Sequence, residues 1–242
     1  MDYTFYTNDL RVFIPVVTGL IGFIIFWFTR KSGNLKQRCL NRLGPDKGPA
    51  CFINSTRYLG GCTIGLLPLA VYLVFFPETA LSEVGLTLYR DTLPETLLWI
   101  AGLGVVVVLL AWYSARTPGS LIHYPEIRAR EWSRRMIASN LVSWAFYLLG
   151  YELFFRGVLL FPLVQEIGLW PAIAVNIGVY SATHLPKGLR ETIGAMPLSI
   201  VLCLVSISTG TIWIAFFVHL AMAWTHSLTA LKHHPDMKIV NH

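Results

Sequence analysis

Charge is scarce in this chain. Only 13% of its 242 residues are Asp, Glu, Lys or Arg, against ~25% in a soluble globular chain. That shortage argues against a water-exposed surface of ordinary size. Cysteine is scarce too. The four, Cys39, Cys51, Cys62 and Cys203, show no CxxC spacing, so neither a disulfide framework nor a cysteine zinc site is expected. No HExxH, internal repeat or low-complexity tract is present. No cleavable leader is expected either, because acidic residues and only Arg11 precede the first apolar run and no small-residue cleavage site follows it.

What is abundant is apolar sequence, with 55% hydrophobic residues. Seven runs stand out, at 10–28, 58–76, 96–114, 137–160, 170–186, 193–208 and 211–230. They lack the alternation of barrel strands, and a helix crosses a bilayer in about 20 residues. The expected fold is all-α, a polytopic helical membrane protein with about seven crossings and a range of six to eight. The sixth run is short and holds Pro197.

The net charge of +6 would suggest nucleic acid in a soluble protein. Here its placement suggests topology. Apart from Arg11, Arg90 and Arg156, every one of the 19 basic residues falls in alternate connections: 29–57, 115–136, the segment after the fifth run, and the tail. The positive-inside rule then puts the N-terminus outside and the C-terminus in the cytoplasm. The expected partners are a lipid bilayer and a peptide or membrane-protein substrate, with no nucleic acid. The expected location is a bacterial plasma (inner) membrane. The 29–57 connection reads as a basic loop, with turn signals at Gly44-Pro45 and Gly48-Pro49. Its Leu35–Leu43 piece reads equally as a short helix on the membrane or as solvated chain.

Residues 1–136 read as scaffold helices and loops, 137–230 as the functional part, and 231–242 as a tail. The division follows the ionisable residues, which enter the apolar runs only after residue 136. In "GYELFFRGVLL" (150–160), Glu152 and Arg156 share a helix face four residues apart. Charges at that depth cost a few kcal/mol each. His184 lies in "YSATHLPKG", His219 in "FFVHLAMAW", and Glu191 follows His184 by seven residues. An antiparallel pair hinged at Gly168 brings Glu152 and His184 to one depth, ~24 Å from the turn at ~1.5 Å per residue. His219 is only nine residues past Gly210. It joins them only if the first turn projects further than the second. A carboxylate beside a histidine suits water activation, and a second histidine suits oxyanion stabilisation. The bland reading is a structural ion pair with two core histidines. A zinc site of His184, His219 and Glu152 is the alternative to a cofactor-free site.

These motifs, in order, resemble the CAAX-protease and bacteriocin-processing family, which includes the type II CAAX prenyl endopeptidases. The family pattern is Glu-Glu-x-x-x-Arg, Phe-x-x-x-His, then His-x-x-x-Asn or Asp. Here "YELFFR" retains Glu152 and Arg156 with Tyr151 in the first Glu position. "YSATH" retains His184 with Tyr180 for Phe, and "HLAMA" retains His219 with Ala223 for Asn or Asp. The resemblance implies an intramembrane endopeptidase in which His184 activates water and His219 stabilises the oxyanion. The departures leave three readings of the base: Glu152, Glu191, or none, in a non-catalytic member that binds peptide or serves immunity or scaffolding. A proton-relay transporter is a distant third class, without the repeat symmetry transporters show.

Overall fold

A computed structural model describes residues 7–185 and 188–240. Helix α1 spans Thr7–Lys31 and α2 Gly33–Gly60. A π-helical turn, Gly61–Leu66, leads into α3, Leu67–Phe75. Helix α4 spans Leu93–Ser114, and a short α5 spans Pro118–Leu121. Strand β1, Glu131–Ser133, precedes α6, Arg134–Glu152. A second π-helical segment, Leu153–Leu159, joins α6 to α7, Leu160–Ile167. Helices α8 (Leu169–Ala182), α9 (Leu189–Thr209) and α10 (Trp213–His233) complete the bundle, and β2 is Lys238–Val240.

Among the described residues each of the seven apolar runs forms helix. Six of the described helical stretches are long and apolar enough to cross a bilayer, while the fifth run forms α8, only 14 residues long. The chain is an integral, polytopic helical membrane protein.

The 29–57 connection is not the loop expected. It is helical, broken at Ser32 and again at Gly44, whose φ of 80° is open to glycine. Pro45 stands in the first turn after the break, where a missing N–H costs nothing. Ser32 caps the first limb by accepting from the Leu35 N–H at 3.3 Å. The limbs fold back on each other closely, and a Cβ on Gly48 would lie 2.8 Å from the Leu40 Cα. The 115–136 connection and the tail also hold structure that the sequence did not announce. Strands β1 and β2 pair in parallel, Glu131 opposite Lys238.

The connections converge as two ends of the bundle. At one end, Glu126 accepts from Arg30 and Arg57, each at 2.8 Å, and Asp46 accepts from the Arg130 N–H at 2.9 Å. At the other, Arg11 pairs with Glu78 at 2.7 Å, and the Ile212 N–H donates to the Gly85 carbonyl at 3.1 Å. Alternate connections therefore meet at alternate ends, as the charge pattern requires.

Glycines bring two spans into backbone contact. Gly61 and Gly65, four apart, face Gly150 of α6, and a Cβ on Gly65 would sit 2.3 Å from the Gly150 Cα. Small residues at this spacing allow such approach between helices in lipid. The contact lies beside the residues that carry the site.

Candidate active site

Glu152 ends α6 with 0% of its side chain exposed, as does Arg156 one turn on. The Arg156 Nη1 lies 3.3 Å from Glu152 Oε2, an ion pair within one helical stretch. The other carboxylate oxygen, Oε1, is bonded to Nδ1 of His219 on α10. His219 is 3% exposed. Its second nitrogen, Nε2, meets the Tyr180 hydroxyl at 3.2 Å. In the neutral ring, Nδ1–H donates to the carboxylate and Nε2 accepts from the phenol, a tautomer set by the network. Arg156 also donates to Ser199 at 3.3 Å and lies 4.8 Å from the Tyr180 ring centre. One carboxylate thus ties α6 to α10, and its arginine reaches α8 and α9.

The depth condition is met. The Gly210 turn lies beside Gly85, level with Phe161, whose ring a Cβ on Gly85 would meet at 2.6 Å. The α7–α8 hairpin continues beyond that level to Gly168. It is the longer hairpin, so nine residues of α10 and sixteen of α7 and its π-helical lead-in reach one depth. The lead-in is a feature that pattern reading does not detect. π-helical turns recur at functional sites. Here the Asn176 side-chain amide donates to the Phe155 carbonyl within it, and Cys203 lies against Asn176 at 3.4 Å.

His184 sits just past the end of α8 and is half-buried. Its Nδ1 lies 3.1 Å from the Tyr180 carbonyl and 3.2 Å from the Thr183 hydroxyl. A carbonyl only accepts, so Nδ1 carries the proton and Nε2 carries the basic lone pair. Tyr151 lies 2.8 Å from the same Thr183 oxygen, which itself donates to the Tyr180 carbonyl at 2.7 Å. The Tyr151 hydroxyl is therefore the donor. Its ring packs on Phe155, Tyr180 and Tyr147. Thr183 and Ser199, ordinary polar residues in sequence, are thereby parts of the site.

Both oxygens of Glu152 face other side chains, and none of it is exposed. Tyr151 does not reach His184 directly but through Thr183. Ala223 lies in an apolar cluster with Leu148, Phe216 and Leu220. The Glu191 side chain lies outside the described residues. Among the described residues no three His, Cys, Asp or Glu side chains converge to hold a metal ion. The donor atoms of Glu152 and His219 are engaged with Arg156, with one another and with Tyr180.

Residues 133–225 match the family model of the type II CAAX prenyl endopeptidases, Rce1-like. The resemblance read from the motifs holds over this segment. The matched segment begins at Ser133, the N-cap of α6, and ends within α10. It contains Glu152, Arg156, Tyr180, His184 and His219, and it leaves α1 to α4 outside. Neither a curated protein nor a solved structure matches the chain.

Proposed function

We propose that the protein is an intramembrane endopeptidase of the CAAX-protease type in which His184 is the general base. The observation that carries this reading is the orientation of His184. Its Nδ1 faces the Tyr180 carbonyl, which makes Nε2 the basic nitrogen of the neutral, half-buried ring. Glu152, Arg156 and His219 are buried and engaged with one another. Nε2 takes a proton from water, and the hydroxide adds to the scissile carbonyl. The oxyanion is met by the Tyr180 hydroxyl, which turns to it from His219 Nε2. His184 then returns its proton to the leaving amine. Glu152, Arg156 and Thr183 act as positioning residues. The substrate is a peptide or a membrane-protein segment, cut at the membrane of a bacterial cell, with the basic end of the bundle in the cytoplasm as the positive-inside rule directs.

The test is cleavage of membrane-anchored peptides, including prenylated ones, by the full chain in vesicles. A positioned general base contributes ~10²–10⁴ in rate. His184→Ala is expected to lose activity on that scale with its thermal unfolding unchanged. Thr183→Val, which frees the His184 ring and the Tyr151 hydroxyl, is expected to lower kcat about tenfold and to shift its pH profile. Equal cleavage by His184→Ala and the unaltered protein overturns the assignment.

Two observations favour a second reading, binding without cutting: Tyr151 stands where the family has a carboxylate, and Ala223 where it has an amide or acid. On that reading no peptide is cleaved. Peptide binding then survives His184→Ala and is lost when the Glu152–Arg156 pair is broken.

A further inference from the structure

Cys39 and Cys51 lie on opposite limbs of α2, and the fold at Gly44 brings their sulfurs to 3.6 Å. Both are free thiols and half-buried. A disulfide needs ~2.0 Å, so about 1.5 Å of approach closes one. The neighbouring backbones are already in contact, since a Cβ on Gly48 would lie 3.0 Å from the Cys39 carbonyl oxygen. Cys39 rests against the apolar cluster of Phe52, Trp132 and Met136. Cys51 instead lines a cavity of about 640 Å³ between α2 and α6, with Lys47, Tyr58, Arg135 and Ser139. Lys47 and Arg135 are both exposed. A thiol on an open cavity that two cations also line is within reach of an anionic disulfide, and a second thiol beside it can resolve the mixed disulfide.

We propose that Cys51 and Cys39 form a dithiol modification site that reacts with small anionic disulfides, Cys51 as the attacking thiol and Cys39 as the resolving one. The Cys51 thiolate attacks one sulfur of the incoming disulfide. That S–S bond breaks, and one thiolate leaves and takes up the proton Cys51 released. The Cys39 thiolate then attacks Cys51 Sγ in the mixed disulfide, and the second thiol leaves with the proton from Cys39. The two cysteines are oxidised to a disulfide, and the small disulfide is reduced to two thiols. The product staples the Cys39 limb of α2 to the limb that carries Arg57. In a reducing compartment such a bond is transient, which is the use cytosolic disulfides generally serve.

The experiment treats the full chain, in membranes, with glutathione disulfide over a range of reduced-to-oxidised ratios, followed by maleimide capture of free thiols and peptide mass mapping. Cys39 and Cys51 are expected to leave the maleimide-reactive pool together and to appear as one linked peptide. Cys39→Ser is expected to stop at a glutathione adduct on Cys51. Lys47→Glu with Arg135→Glu is expected to slow the reaction with glutathione disulfide about tenfold relative to the neutral hydroxyethyl disulfide, since steering by charge spans ~10–10³. Independent labelling of Cys39 and Cys51, or an adduct on Cys62 without a Cys39–Cys51 link, overturns the pair. An unchanged rate in the charge-reversed variant overturns the entry route.

Discussion

The Glu152–Arg156–His219 cluster and the Arg30–Arg57–Glu126 cluster each join helices through one carboxylate, but only the first is closed off from water. Glu152 and Arg156 are both 0% exposed, whereas the Glu126 side chain is 22% exposed. In the first cluster the two carboxylate oxygens serve different partners, Arg156 and His219. In the second a single oxygen, Oε2, takes both arginines at 2.8 Å, and the exposed carboxylate can draw on water as well. Arg57 is itself buried, yet its load is spread. It also donates to Asn140 at 2.8 Å and Ser143 at 3.1 Å, and lies 3.9 Å from the Trp144 ring centre. Burial makes the first cluster depend on pairing, and partial hydration makes the second tolerant of loss.

Three substitutions break or sharpen that contrast. Arg156→Ala leaves the Glu152 charge buried beside one histidine, and removal of one partner from a buried pair costs about 3–5 kcal/mol. The folded fraction recovered from membranes, read by thermal unfolding in detergent, should collapse. Glu126→Ala should cost less, about 1–3 kcal/mol, because Arg57 keeps its neutral partners. A loss from Glu126→Ala as large as that from Arg156→Ala would erase the distinction between the clusters. Arg30→Ala is the smallest. Its side chain keeps 19% exposure, and the Glu126 carboxylate it leaves behind stays paired with Arg57. High salt in the unfolding buffer should shrink this last effect and leave the Arg156 effect unchanged, since screening reaches exposed charges and not buried ones.

The same contrast separates what was legible from what was not. Glu152, Arg156, His184 and His219 stood out because each interrupts an apolar run, where an ionisable group is rare enough to demand a reason. Glu126 and Arg57 looked like ordinary charges of polar connections, and only their meeting across 69 positions of sequence shows their role. The 29–57 segment misled because its Gly-Pro pairs are turn signals locally. In the structure a single residue, Gly44, turns the chain, and helix resumes at once. Strands β1 and β2 are three residues each and pair across more than a hundred residues, so neither segment carries a strand signal of its own. Thr183 and Ser199 carry no charge to betray them. Asn176 is a missed residue with a readable sign, a buried amide in the middle of an apolar run.

The sequence by itself determined that this is a helical membrane protein, where its apolar runs lie, which connections share a side, and which few residues would be found among apolar neighbours. Those are sums over local transfer free energies, and composition carries them. Only the tertiary structure decided that Glu152 faces His219 as well as Arg156, that His184 turns its Nδ1 to a carbonyl, and that Tyr151 reaches it through Thr183. A partner is chosen by the depth of a turn, the closeness of two glycines and the reach of a side chain, and these are fixed when the helices pack.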